Sequence, residues 1–471
     1  MMDHLTAGSQ IGGFRIEERL HAGGAGYIYR VSAANGHAPG FPLVMKVPAI
    51  GRGEPTVGIV GFEMELMILP ALSGPHVPRF VSSGGLTSTP HLVMEWIEGE
   101  GLATIVERVP LPHGEVARIG AALADAVHSL HGQETIHLDL KPENVILRPN
   151  GEAVLIDFGF AHHARFPDLL AEEMRFAAGS APYVSPEQLR DKRNDPRSDI
   201  FALGAMLYEL ATGEPPFGAP ATLAGMRDRL WREPAPPRAR NPKVPPWLQE
   251  VILRCLEISA AARYQSAAHV AFDLRHPEQI ALSPRAHRTR AEGFLPQFAR
   301  WWRSRDYALS APLPKAKVAE APVIMVAVDT SHPDDERQPS IQWTARQVLS
   351  LDAEYRVMCV SVIRAAPIGE GPTLAQTASG RHLEHLVRLR QWVEPLGLPA
   401  QRQSLHVVES ADPANTLLEL ARLNNVDLIV LGAPGLSQMK LAWWRSVASS
   451  VTANAHCSVH VVRVPERSRE G

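Results

Sequence analysis

The segment His137-Leu138-Asp139-Leu140-Lys141-Pro142-Glu143-Asn144, followed by Asp157-Phe158-Gly159, constrains this chain most. It sets an Asp, a Lys, an Asn and a second Asp at a spacing that suits phosphoryl transfer from a nucleotide. Asp139 can orient a hydroxyl and accept its proton. Lys141 can neutralise charge on the moving phosphoryl group. Asn144 and Asp157 can hold Mg²⁺. Upstream, Val116, Ile119, Leu123, Val127 and Leu130 recur at helical spacing, so a core helix delivers this segment.

Strand-like runs come first. Phe14-Arg15-Ile16 and Tyr27 to Val31 flank a glycine turn, and Leu43 to Val47 is another short strand. Phe62 to Leu72 is mostly good helix formers and stops at Ser73-Gly74-Pro75. Residues 199–212 and 247–257 read as apolar helices. Residues 281–320 are rich in Arg and carry prolines at 284, 296, 312 and 314, the pattern of a basic, partly extended linker. Within it, 294–303 mixes aromatics with Arg. That suits contact with a membrane surface or anionic partner, or, the preferred reading, docking on a neighbouring domain. From 321 the pattern turns α/β. Apolar runs at 323–328, 358–363, 405–408, 428–431 and 459–462 alternate with helical segments, as in a doubly wound sheet.

The first region resembles the eukaryotic-type Ser/Thr protein kinases, in a bacterial form, over about residues 12–275. The resemblance implies a two-lobed α+β fold, β first and then α, using ATP and Mg²⁺ on protein substrates. Leu20 to Tyr29 is similar to the Gly-rich loop; Gly23 and Gly26 match two family glycines, and His21 replaces the first. Lys46 matches the lysine that grips the nucleotide phosphates, with Glu65 as its acidic partner and Glu63 as the competing choice. Leu92 to Gly99 resembles the hinge. There Met94 is the gatekeeper, and the Glu95 carbonyl and Ile97 amide read the adenine edge. Gly179 to Glu187 resembles the substrate-docking loop. Ser180 replaces the usual Thr, and its hydroxyl can bridge Asp139 and Lys141. Glu187 is expected to pair with Arg263, and Asp199 to brace the catalytic-loop backbone. The Lys141-Pro142-Glu143-Asn144 form favours Ser/Thr over Tyr as acceptor.

Leu138 departs from the family, which has Arg there to receive an activation-loop phosphate. Residues 160–178 contain no Ser, Thr or Tyr. Both halves of that switch are missing, so activity is expected not to depend on phosphorylation of this loop.

Residues 321–465 resemble the universal stress protein family. Gly432 and Gly435, followed after nine residues by Arg445-Ser446, are similar to its phosphate-binding pattern, and Asp329 matches the acidic residue near ribose and adenine. The resemblance implies a second ATP or AMP at Asp329, Gly432, Gly435 and Ser446. Arg445 replaces the third glycine; it could supply charge to a phosphate or spoil the turn. The plainer reading is a docking or dimerisation module, with 459–462 as a pairing edge and a homodimer as the product.

Bulk properties fit this reading. The length of 471 residues suggests two or three domains, and 45% hydrophobic residues can supply their cores. A net charge of −3 implies no nucleic-acid partner. Three dispersed cysteines suit a reducing cytosol rather than a disulfide framework or zinc site, and His456, Cys457 and His460 read as packing residues. With no apolar leader and no run of about 18 apolar residues, neither a signal peptide nor a transmembrane span is expected. The expected organisation is a kinase domain at 12–280, a linker at 281–320 and a stress-protein-like domain at 321–465, in the cytoplasm. The second domain is expected to sense nucleotide or stress and bias the first. The rival is a nucleotide-binding pseudokinase scaffold, supported by His21 and Leu138.

Overall fold

Strand pairing builds the first lobe. The structure, a computed structural model, describes residues 5–23, 26–34, 39–48, 56–84, 90–173, 180–291, 322–332, 335, 337–350, 355–363, 373–399, 402–424, 426–433 and 442–463. Strands β1 (Gln10–Ile11), β2 (Phe14–Gly23), β3 (Gly26–Ala33), β4 (Leu43–Val47), β5 (Phe80–Gly84) and β6 (His91–Glu95) form one antiparallel sheet in the order β1-β2-β3-β4-β6-β5. Inward Ile16, Tyr29, Val31, Met45 and Val93 make one apolar face. Helix α1 (Thr56–Ile68) covers the other, burying Val60, Met64 and Ile68. It begins six residues before the expected start, and Ile59, Val60 and Gly61 of that added stretch are buried.

The second lobe is helical. Short α2 (Leu102–Val106) leads to α3 (His113–His131), which buries Val116, Ile119, Leu123, Val127 and Leu130, the periodic set read from sequence. Glu115 in its first turn and His128 and His131 in its last suit the helix dipole. A five-residue helix, α4 (Leu169–Glu173), lies in the segment after Asp157. Helix α5 (Arg197–Thr212) is buried almost throughout and forms the lobe's axis; Gly213, at φ 92°, ends it in the left-handed region.

The expected Glu187–Arg263 pair is present and deeply buried, with Nη1–Oε1 at 2.5 Å and Nη2–Oε2 at 2.8 Å. Arg263 also donates to the Glu257 and Arg197 carbonyls, so its donors are well used.

The chain expected to become a linker at 281 is still docked on this lobe at Arg288, whose carbonyl accepts Gln249 Nε2 at 2.9 Å and whose guanidinium pairs with Glu233. Ala286 is fully buried, and Arg285 pairs with Glu250 at 2.7 Å and Glu257 at 2.8 Å. The basic residues of this stretch are therefore partly consumed by acidic groups of the lobe. The aromatic segment 294–303 lies outside the described residues.

The third unit is a five-stranded parallel sheet of Val323–Ala327, Arg356–Ile363, Gln403–Glu409, Leu428–Gly432 and Ser458–Val462. Counting these strands one to five in chain order, they lie in the order 3-2-1-4-5. Strand order reverses beside the first strand, which makes the doubly wound arrangement expected. Helices Gln338–Ser350 and Thr373–Val393 cover one face, and Pro413–Leu423 and Ala442–Asn454 the other. Gln403–Glu409 and Ser458–Val462 are the two edge strands of this sheet.

Arg263→Ala would strand Glu187 buried and unpaired. It is expected to cost about 3–5 kcal/mol, read as a fall in the melting temperature of the helical lobe.

Candidate active site

Lys46 on β4 lies at the centre of the cleft. Its Nζ donates to Glu65 Oε2 at 2.6 Å and to Asp157 Oδ1 at 2.9 Å. Burial alone would lower the lysine, but Glu65 and Asp157 outweigh it and hold the ammonium charged well above its ordinary value. Asp157 feels the converse. Burial works against its charge, yet Lys46 keeps its carboxyl at about 2. Burial pushes Glu65 upward, the Lys46 charge opposing it. Glu65 Oε1 also receives the Phe158 amide at 3.3 Å, so α1 holds the Asp-Phe-Gly turn directly. Glu63, the competing choice, faces away and pairs with Arg390 of helix Thr373–Val393 in the third unit.

Two glycines permit this approach. A Cβ on Gly61 would stand 3.2 Å from the Gly159 carbonyl oxygen, and one on Gly159 the same distance from the Gly61 oxygen. Side chains at either would push α1 off the turn.

The catalytic-loop candidates share a network. Asn144 Nδ2 donates to the Asp139 carbonyl at 2.9 Å, and Lys141 Nζ lies 2.9 Å from Asp139 Oδ2. Burial would lower Lys141, but the Asp139 charge moves it upward overall. Ser180 donates to Asp139 Oδ1 through its amide at 2.8 Å and its hydroxyl at 2.9 Å. The expected bridge through Ser180 differs in one respect: Lys141 joins at the other carboxylate oxygen of Asp139, not through the serine. Asp199 accepts the His137 amide at 2.8 Å and the Leu138 amide at 2.9 Å, the brace expected of it. It also takes His131 Nε2 at 2.8 Å. This brace holds Leu138 at φ 61°, a backbone region costly for leucine.

At the hinge, Met94 is buried opposite Val44 and Phe80, and Ile97 is buried. The Glu95 side chain is spoken for by Arg79 at 3.0 Å and Arg148 at 2.9 Å, which anchors the hinge to both lobes. Gly26 adopts φ 132°, which suits glycine, directly after the loop tip; Gly23 ends β2, and residues 24–25 lie outside the described residues. For a divalent cation the donors are hard oxygens, the Asn144 amide and Asp157. Among the described residues nothing hydrogen-bonds Asp157 Oδ2, so the set fits a hard divalent cation.

Sequence reasoning missed three supports. Arg229, fully buried, donates to the Val184 carbonyl at 2.6 Å and the Ala181 carbonyl at 2.7 Å, propping the docking loop; burial pushes it down to about 10. Gln188 donates to the Leu138 carbonyl at 2.7 Å. Arg193 donates to Asp168 at 2.7 Å and to the Phe160 carbonyl at 2.8 Å. None carries a local sequence signal; only pairing across the fold reveals them.

In the third unit, Asp329 and Gly432 stand at the carboxyl ends of adjacent strands, where open α/β sheets bind ligands. Asp329 is already engaged, by the Ser331 amide at 2.9 Å and His332 Nδ1 at 2.9 Å. Gly435 lies outside the described residues. Ser446 falls within helix Ala442–Asn454, its side chain undescribed, as is that of Arg445.

Two lobes meeting at a Lys–Glu–Asp cluster, with an Asp–Lys–Asn loop facing it, define the protein kinase class. Residues 23–273 match the protein kinase domain, and residues 322–463 match the universal stress protein family. Serine/threonine-protein kinase PknB of Mycolicibacterium smegmatis is 33% identical over 218 residues, covering 45% of this chain and 35% of that protein. Serine/threonine-protein kinase Pkn1 of Myxococcus xanthus is 33% identical over 294 residues, 59% of this chain and 39% of the relative. The chain thus spans little more than a third of those relatives' length. This chain belongs to the protein kinase family and carries a universal stress protein domain behind the kinase domain. Among the described residues no helix is long and apolar enough to cross a membrane.

Asp168 has a folded value of about 2 against an ordinary 3.8: burial raises it, but His162 and Arg193 outweigh burial. A carboxyl depressed in the fold contributes stability above its unfolded value and loses it as pH falls through the folded one. The gap between wild type and Asp168→Asn is therefore expected to be on the order of 2 kcal/mol near neutral pH. Acid-denaturation curves should show it close between about pH 4 and 2.

Proposed function

We propose that this chain is an ATP- and Mg²⁺-dependent protein kinase that phosphorylates Ser and Thr of protein substrates. The observation that carries this is the simultaneous placement of Lys46 on Glu65 and Asp157 and of Ser180 on Asp139. The nucleotide-gripping side and the acceptor side of the cleft are thus both assembled. A non-catalytic scaffold has only the departures at His21 and Leu138 in its favour, and against it every polar group the transfer needs is present and in register.

Asp139 holds the acceptor hydroxyl and takes its proton as the oxygen attacks. Lys141, beside it, offsets charge on the phosphoryl oxygens. Lys46 binds the α- and β-phosphates, Gly23 and Gly26 let backbone approach them, and Glu95 and Ile97 present backbone to adenine behind Met94. Asn144 and Asp157 would hold Mg²⁺, which supplies charge neutralisation to the phosphates when bound.

The stress-protein domain is read as a regulator. Its Arg390 pairs with Glu63 on α1, two residues from Glu65, and Ile59 of α1 packs with its core. A shift there reaches the Lys46–Glu65 pair through one rigid helix. A second ATP or AMP would sit at the Asp329–Gly432 crevice with Gly435 and Ser446, and Ser458–Val462 offers an edge for a homodimer. A cytoplasmic site completes the reading.

Asp139→Asn is expected to cut phosphate transfer to a Ser/Thr-containing protein by about 10²–10⁴-fold with ATP affinity kept. Equal transfer by the two proteins would sink the enzyme reading. Removing residues 321–471 is expected to change the transfer rate or its dependence on ATP; an unchanged profile removes the regulatory role.

A further inference from the structure

Through Glu173 the activation segment is folded without the means usually used to order it. Leu138 is apolar, buried and unable to receive a phosphate, and residues 160–178 offer no hydroxyl to carry one. Yet the segment through Glu173 is folded and tied down. Asp168 sits immediately before α4. Its Oδ1 accepts the Ala171 amide at 3.1 Å, capping that helix. Its Oδ2 accepts Arg193 Nε at 2.7 Å and contacts His162 Nδ1 at 3.3 Å. Arg193 Nη2 donates to the Phe160 carbonyl at 2.8 Å.

One guanidinium thus joins three stretches. Phe160 follows the Asp-Phe-Gly turn, Asp168 lies in the middle of the segment, and Arg193 follows the docking loop. Both charged side chains are largely buried, Arg193 at 11% exposure and Asp168 at 14%, so water screens the pair little. Leu169 and Leu170 next to Asp168 enter the main core, and α4 packs on α1, which carries Glu65. The clasp is therefore linked to the Lys46 pair through two packed helices.

We propose that Asp168 and Arg193 form a permanent ion-pair clasp that orders the activation segment in place of a phosphate, making both positioning residues for transfer. A phosphate would bring nearly two charges and three acceptor oxygens to an arginine. Asp168 brings one charge and two oxygens. The remaining hold comes from the helix cap, the Phe160 carbonyl and the two buried leucines, none of which needs a modifying enzyme. The segment is accordingly set by folding itself, and control is left to other surfaces such as α1. The proposal rests on the kinase reading.

The test uses the full chain. Arg193→Ala and Asp168→Ala should each lower kcat for a protein substrate about tenfold or more while the Kd for ATP stays within about twofold. Asp168→Glu should recover most of the rate, and the double alanine variant should lose no more than either single one, as two halves of one interaction do. Amide exchange across residues 169–173 should quicken in Arg193→Ala. Wild type treated with phosphatase should keep its rate. Full kcat in Arg193→Ala overturns the proposal, as does an equal loss of ATP affinity, unchanged exchange at 169–173, or inactivation by phosphatase. If wild type transfers no phosphate, the kinase reading fails separately, and the exchange measurement still decides whether the clasp orders the segment.

Discussion

The Lys46 ammonium, held between Glu65 and Asp157, is the contact on which the rest of the cleft depends. It joins a strand of the first lobe, the helix packed on that strand and the Asp-Phe-Gly turn of the second lobe. A buried cation is stable only with compensating charge, and here two carboxylates supply it. Neither carboxylate could take up that position unless α1 lay close against the turn. The facing glycines, Gly61 and Gly159, leave room for this, and the Phe158 amide on Glu65 secures it.

A second carboxylate performs the corresponding task on the acceptor side. Asp199 is fully buried at the start of α5, and burial alone would favour its neutral form. His131, and then His137 through its charge and its amide, outweigh that and lower its pKa, so it stays an anion able to hold the loop. Leu138 endures an uncommon backbone angle as a result, which is how local strain is maintained at a working site. From this loop the order extends outward, through Ser180 and Gln188 to the docking loop, through Arg229 beneath it, and through Glu187 to Arg263.

Much of this was legible in the chain. Asp139, Lys141, Asn144 and Asp157 stand in a pattern with few alternative explanations, and the alternation of apolar runs with helical segments announced the doubly wound sheet. The choice between Glu63 and Glu65 was not legible. Residues two apart on a helix point to different faces, and which face meets Lys46 depends on how α1 is rolled against the sheet. The roll sends Glu65 inward and Glu63 to Arg390. The basic stretch after 280 misled for a related reason. Arginine-rich composition suits a solvated linker, but Glu250 and Glu257, brought near by folding, turn Arg285 into an anchor.

By itself the sequence determined the chemical groups available, their local spacing, the order of sheet, helical lobe and α/β unit, and the lack of a phosphate acceptor after the Asp-Phe-Gly turn. These are properties of residue type and short-range pattern, and they survive without knowing the fold. Tertiary structure alone decided which glutamate holds Lys46, that Arg193 closes on Asp168, that Arg229 supports the docking loop, and where the second domain touches α1. Each of those contacts joins residues far apart in the chain. Their partners are ordinary arginines and carboxylates, whose significance comes only from burial and mutual approach.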